Sequence, residues 1–351
     1  MLTRRSPLLA LCALLALTAC GRDTEEAKRA APANAGVLNI YTARHYDADQ
    51  LIYDGFKQAT GVEVRALQSQ GNMLVEKMKA EGASSPADII LMADAGALWR
   101  AQEAGLFQPV TTPTLERRIP ANLRDHQGRW WGFARRARVI AYAKDRVRPE
   151  EVASYAAVAD PKFRGRVCVR NADNIYNLSM MAGFIERWGP QRALEWARGV
   201  VANMARKPQG GDIDQIRAVA AGACDVALAN SYYFLRIASS EAPEDKAVMQ
   251  KVAIAFPEQA GTGALVNISG GGVAAHAPNK ENAVKFLEYL ASDQAQAIFA
   301  SANNEFPAVQ AVKPPASVAA YANFKADPLP VTVYGRRQGE AQATFDQAGW
   351  Q

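Results

Sequence analysis

The sequence predicts an α/β fold of two lobes joined by two extended crossovers. Three observations predict it. Strand and helix patterns alternate in two separate stretches, residues 37–104 and 166–229, and a βαβα order builds a parallel sheet covered by helices. Two long extended segments, 130–144 and 261–275, run between and after these stretches. The chain has 351 residues, enough for about two domains of roughly 150 residues each.

The elements follow in order. Residues 37–41 read as a short strand. Residues 49–59 read as a helix, because Leu51, Ile52, Phe56 and Ala59 fall on one face and Gly61 suits a C-terminal stop. Residues 62–67 alternate like a strand. Residues 73–80 are helical and end at Gly82. Residues 88–92 form a continuous apolar run, as in a buried parallel strand. A helix over 95–104 closes at Gly105.

The second unit opens with a strand at 166–170. Helices follow over 178–188 and 192–204, separated by Gly189 and Pro190, and over 213–221, stopped by Gly222. Residues 225–229 read as a strand. Residues 265–268 and 272–275 look extended, with Gly270, Gly271 and Gly272 between them read as a hinge. Residues 280–301 read as one long amphipathic helix through Val284, Leu287, Leu290 and Ile298. The tail, 313–351, is Pro-rich and ends in a short helix.

Composition narrows the class. Hydrophobic residues are 49% and charged residues 21% of the chain, values of a globular protein rather than a disordered or collagenous one. A net charge of +5 over this length gives no argument for nucleic acid. Arg4 and Arg5 precede an apolar run at 8–17, which is shorter than the ~20 residues that span a bilayer. The run ends in Leu17-Thr18-Ala19-Cys20, a lipobox-like tetrapeptide. We therefore expect a signal peptide over 1–19, lipidation at Cys20, and a flexible tether over 20–36; a plain signal peptide cut nearby is the alternative. The folded body is expected outside the cytoplasm, in the periplasm, held to a membrane by lipid alone. Cys168 and Cys224 are the two cysteines left for that body. An oxidising compartment permits them to pair, and two buried small apolar residues are the other reading.

Three loops carry the chemistry, each placed after an expected strand. They are 43–47 with His45 and Tyr46, 171–176 with Tyr176, and 230–233 with Tyr232 and Tyr233. Ligands of open α/β sheets sit outside the carboxyl ends of the strands. A phenol has a pKa near 10 and ionises at neutral pH only beside a strong positive charge. A small, hard, trivalent cation supplies that charge and favours anionic oxygen, which points to ferric iron. Zinc would bring Cys and His ligands, and calcium clustered carboxylates. Tyr41 and Tyr53, in a strand and a helix, are expected to pack.

Several runs then resemble a known family. Residues 38–46 (LNIYTARHY), 79–90 (KAEGASSPADII), 98–110 (LWRAQEAGLFQPV), 136–139 (RARV) and 230–233 (NSYY) are similar to the ferric-iron-binding, transferrin-like proteins of bacterial ABC importers, the cyanobacterial type most of all. The resemblance covers nearly the whole chain from Val37. It implies a type II periplasmic-binding-protein fold, with Fe(III) as the transported ligand held in an interlobe cleft and delivered to an inner-membrane ABC permease. Tyr46, Tyr176, Tyr232 and Tyr233 match the family's ligand positions, and His45 a histidine that ligates in some members only. Arg136 matches an arginine behind the ligands, and Arg236 is a further charge partner one turn after the tyrosine pair. The lobes are expected to comprise residues 37–135 with 264–312, and 136–263 with 313–351, in a monomer.

Other readings are weaker. A polyamine, thiamine or anion binder of the same fold is the alternative within the class; a polyamine site would want several carboxylates and a stacking Trp near these loops. With three His residues in the chain, a hydrolase has few ways to build a nucleophile–base pair, and no catalytic residue is assigned. His126 and His276 are expected to be exposed or structural. The basic run Arg135-Arg136-Ala137-Arg138 is expected to neutralise the phenolates or form ion pairs.

Overall fold

The computed structural model describes residues 35–44 and 46–351. His45, Cys20 and the expected leader lie outside them. Among the described residues there are nine strands: β1 (Val37–Thr42), β2 (Glu63–Gln68), β3 (Ile89–Met92), β4 (Trp131–Ala143), β5 (Val167–Cys168), β6 (Val226–Asn230), β7 (Val252–Ala255), β8 (Val266–Val273) and β9 (Phe306–Pro307). They run in the order β2-β1-β3-β8-β4-β6-β5, with β7 and β9 also paired to β4.

The strands divide into two sheet regions, and β4 links them. Its first half, Trp131 to Ala137, pairs antiparallel with β8 in the sheet that contains parallel β1, β2 and β3. From Arg138 onward it pairs with β6 and β7 instead. A single strand thus leaves one sheet and enters the other between Ala137 and Arg138. In β4, every residue but Arg135 is buried, as expected for a strand covered in both lobes.

Local signals account for most of the helices. Asp49–Thr60 buries Ile52 and Phe56 and stops at Gly61, whose φ of 76° is left-handed and whose N–H bonds to the Lys57 carbonyl at 2.7 Å. Pro190 starts the helix Pro190–Asn203 at a position where its missing N–H is harmless.

Other elements depart from the periodicity. The stretch read as one helix over 280–301 forms two, Lys280–Leu290 and Asp293–Ala302. Ser292 is extended there, and its hydroxyl accepts from Ala295 N at 3.3 Å, so a cap interrupts an unbroken apolar pattern. The three glycines read as a hinge lie inside β8. A Cβ at Gly272 would sit 2.0 Å from the Arg129 carbonyl oxygen, and one at Gly271 2.4 Å from that of Ile90. These glycines let neighbouring backbones approach rather than bend. The helix Pro243–Lys251, β7 and β9 carried no sequence assignment, since each is short and weakly periodic.

Cys168, at the end of β5, and Cys224, just before β6, form a disulfide with Cα atoms 5.9 Å apart. Among the described residues, no helix is long and apolar enough to cross a membrane.

Candidate metal centre

Three element junctions bring four phenols together. Tyr46 lies in the turn after β1, where its carbonyl accepts from Asp49 N at 2.9 Å and starts the helix Asp49–Thr60. Tyr176 is the second residue of the helix Ile175–Trp188. The sequence pattern left it in a loop, but the Asn174 side chain caps the helix by accepting from Tyr176 N at 3.1 Å, so the helix begins three residues before the apolar pattern does. Tyr232 and Tyr233 likewise sit in a first helical turn, that of Ser231–Ala238, directly after β6. Tyr46 comes from the first sheet's side and the other three from the second. Both helix N-termini carry partial positive charge, which favours anionic oxygen nearby.

The hydroxyls converge. That of Tyr46 donates to that of Tyr232 at 3.1 Å, and the hydroxyls of Tyr176 and Tyr232 lie 3.3 Å apart. The rings of Tyr232 and Tyr233 are 4.1 Å apart. All four side chains are buried. A cleft of about 960 Å³ opens beside Tyr176 and Tyr233, lined also by Ala43, Gln68, Arg170 and Asn174.

Guanidiniums surround the phenols. Arg44 stands 4.8 Å from the Tyr46 ring centre, Arg136 5.7 Å from that of Tyr232, and Arg170 5.5 Å from that of Tyr176. Arg236 lies within 6.0 Å of the rings of Tyr46, Tyr232 and Tyr233. Buried carboxylates hold three of these in place. Arg44 pairs with Asp49 at 2.8 Å and Glu305 at 3.3 Å. Arg136 pairs with Glu305 at 3.0 Å and donates to Ser269 Oγ at 2.6 Å. Asp212 bridges Arg138 at 3.1 Å and Arg170 at 3.0 Å. The basic run on β4 therefore forms ion pairs beneath the phenols, while Arg135 donates to the Pro307 carbonyl.

These surroundings set the protonation. Burial raises the pKa of Tyr46, Glu305 raises it further, and Arg136 and Arg44 pull the other way. Burial, then mutual repulsion among the phenols, pushes Tyr176 and Tyr232 well above the usual tyrosine value. Burial disfavours the Arg136 charge, but the adjoining Glu305 carboxylate reverses that, so the guanidinium stays protonated. Without a cation, Tyr46, Tyr176 and Tyr232 are neutral, the first and second each hydrogen-bonded to the third. A trivalent cation among them would supply what burial opposes, and its arrival must expel their protons. No group of three or more His, Cys, Asp or Glu side chains among the described residues could hold a metal. The oxygen donors gathered in one place are phenolic.

Tyr41 donates to Glu81 at 3.0 Å and Tyr53 packs on Phe286, both apart from the cluster. His126 is exposed. The parts that sequence reasoning missed are Glu305, Asp49, Asp212 and the pairing role of Arg44. Arg44 stands two residues before Tyr46, which is a usable signal, but Glu305 meets it across 261 positions and no local pattern marks that.

Comparisons with known proteins agree with this architecture. Residues 84–326 match the family model described as bacterial extracellular solute-binding protein. The chain is 46% identical to iron uptake protein A2 of Synechocystis sp. over 92% of each chain. It is 26% identical to the major ferric iron-binding protein of Neisseria meningitidis over 91% of this chain and 95% of that one. A solved structure of Trichodesmium FutA (IdiA) in complex with iron and citrate superposes with a TM-score of 0.87 at 49% identity, covering 90% of this chain and all of that one. Apo FutA2 of Synechocystis superposes with a TM-score of 0.85 at 46% identity, covering 90% of this chain and 99% of that one. The chain belongs to the bacterial extracellular solute-binding proteins, in the branch that includes the cyanobacterial iron uptake proteins.

Proposed function

We infer that the protein is an extracytoplasmic Fe(III)-binding protein that delivers its cargo to an ABC importer. It is a periplasmic binding protein and not an enzyme, as its relatives are iron uptake and ferric-binding proteins. The observation that carries this reading is the convergence of the Tyr46 and Tyr176 hydroxyls on that of Tyr232, at 3.1 and 3.3 Å, in a cleft ringed by arginines.

The finer assignment is ours. Tyr46, Tyr176, Tyr232 and Tyr233 bind the ferric ion as tyrosinates, with His45 a further candidate on the first lobe. Arg136 and Arg236 offset the anionic charge of the phenolates. Residues 37–135 with 264–312 form one lobe and 136–263 with 313–351 the other; the change of partner in β4 after Ala137, two residues beyond that first boundary, supports a division near it. The protein is a monomer that meets an inner-membrane permease and is anchored through lipidated Cys20. Replacing Cys20 by Ala should release it from the membrane fraction, and an unchanged mass and distribution would reject the anchor.

The ligand assignment is tested with ferric nitrilotriacetate as donor. The protein should retain one iron per chain through gel filtration. Tyr232→Phe/Tyr233→Phe keeps both rings and removes two oxygens, and should lose at least a hundredfold in affinity. Retention of iron by that variant with the unmodified protein's affinity would reject these ligands.

A further inference from the structure

Asp94 is a buried carboxylate outside the phenol cluster. It follows β3 and caps the helix Ala95–Glu103, with Oδ1 accepting from Gly96 N at 2.7 Å. The same oxygen accepts from Ser179 Oγ at 2.7 Å, and Oδ2 accepts from Asn267 Nδ2 at 2.8 Å. These three donors come from three different elements. Gly96 lies on a helix of the first lobe, Asn267 on crossover strand β8, and Ser179 on the second lobe's helix Ile175–Trp188.

The position of this knot matters. Asn267 faces Arg136 in the β4–β8 register, one pair from the point where β4 changes sheets. Its Oδ1 accepts from Ala95 N and Ile268 N at 3.0 and 2.8 Å, so its amide is fixed with Nδ2 toward Asp94. Ser179 lies one helical turn after Tyr176, on the same helix. The approach is close: a Cβ on Gly96 would lie 2.5 Å from Gln338 Nε2 and 3.2 Å from Ser179 Oγ.

For stability alone, an ionised group is a poor choice here. Burial pushes the Asp94 pKa up to about 6, although Ser179, Arg136, the Gly96 N–H and Arg100 all oppose the rise. A carboxylate can, however, accept from all three donors at once, which a neutral amide of the same shape cannot.

We propose that Asp94 is a positioning residue for the iron site: it ties the helix Ile175–Trp188 to the crossover through Ser179 and so sets the Tyr176 phenol against Tyr232. The inference rests on the phenol reading of the site. Ser179→Ala removes the second-lobe arm and leaves the other two hydrogen bonds of Asp94 intact.

The test loads unmodified protein, Ser179→Ala and Asp94→Asn with Fe(III), then follows iron release to EDTA and the visible absorption band. Ser179→Ala should melt within a few degrees of the unmodified apo-protein, because Ala favours the helix. It should release iron about tenfold faster, with a shifted band, since a hydrogen bond to a charged group is lost. Asp94→Asn should change release and band in the same direction, and decides the matter if Ser179→Ala does not fold. If both variants match the unmodified protein in rate and band, the proposal is overturned while the phenol reading stands. If the unmodified protein takes up no iron, both are overturned.

Discussion

Glu305 illustrates how single residues set the chemistry of the cleft. It is fully buried and accepts from Ser269 while pairing with Arg44 and Arg136, the guanidiniums nearest Tyr46 and Tyr232. Its charge raises the pKa of Tyr46. Glu305→Gln removes that charge, leaves the two guanidiniums freer to stabilise phenolate, and lowers the proton affinity that iron must overcome. Metal affinity falls as protons compete for its ligands. The pH at which iron is released should therefore drop in this variant. The same change breaks a buried ion-pair network and should destabilise the apo-protein by roughly 3–5 kcal/mol. Release measured by absorbance across a pH series, beside urea unfolding, checks both; a release pH that rises would contradict the electrostatic account. Tyr53→Phe, which alters a packing residue on Phe286, should leave iron release unchanged.

At the level of elements, the disulfide stiffens the lobe that carries three of the four phenols. It joins β5 to the residue pair before β6, and its side chains belong to the same apolar cluster as Tyr176, Tyr232 and Tyr233. A bridge closing a 56-residue separation is worth about 4 kcal/mol in the chain-entropy model. Cys168→Ala/Cys224→Ala should lose stability of that order in urea unfolding and become insensitive to reductant. An unchanged midpoint would mean that the bridge is dispensable to the fold. How much of this was legible in the sequence depends on range. Helix Asp49–Thr60 and strands β1, β3 and β6 follow from periodicity and a terminal glycine, which are local signals. The early start at Ile175 and the break at Ser292 hinge on single capping side chains, which periodicity averages away. The packing role of Gly270 to Gly272 depends on carbonyls of β3 and of the segment leading into β4, far off in the chain. The tyrosines were visible because each follows a strand. The carboxylates that orient their arginines were not, because Glu305 and Asp212 meet them only in three dimensions.

For the whole molecule, the two sheets share strand β4 and the phenol cluster draws on both sides of it. Tyr46 reaches Tyr232 across the cleft, whereas the sheets connect through β4 at Ala137 and Arg138 and through the chain entering β8. In the proposed site, ligands drawn from both sides would couple binding to closure, because a cation could reach all four phenols only with the lobes together. Small-angle scattering should give a smaller radius of gyration with Fe(III) than without, and an identical radius in both states would place closure before binding.

The most direct test of the central claim is a visible absorption titration of the protein with Fe(III), run with simultaneous measurement of protons released. Tyrosinate bound to ferric iron absorbs by charge transfer from phenolate to metal. The account predicts a coloured protein saturating at one iron per chain, release of protons on binding because the buried phenols start neutral, and bleaching as the pH is lowered. Uptake of iron with no visible band and no proton release would contradict it.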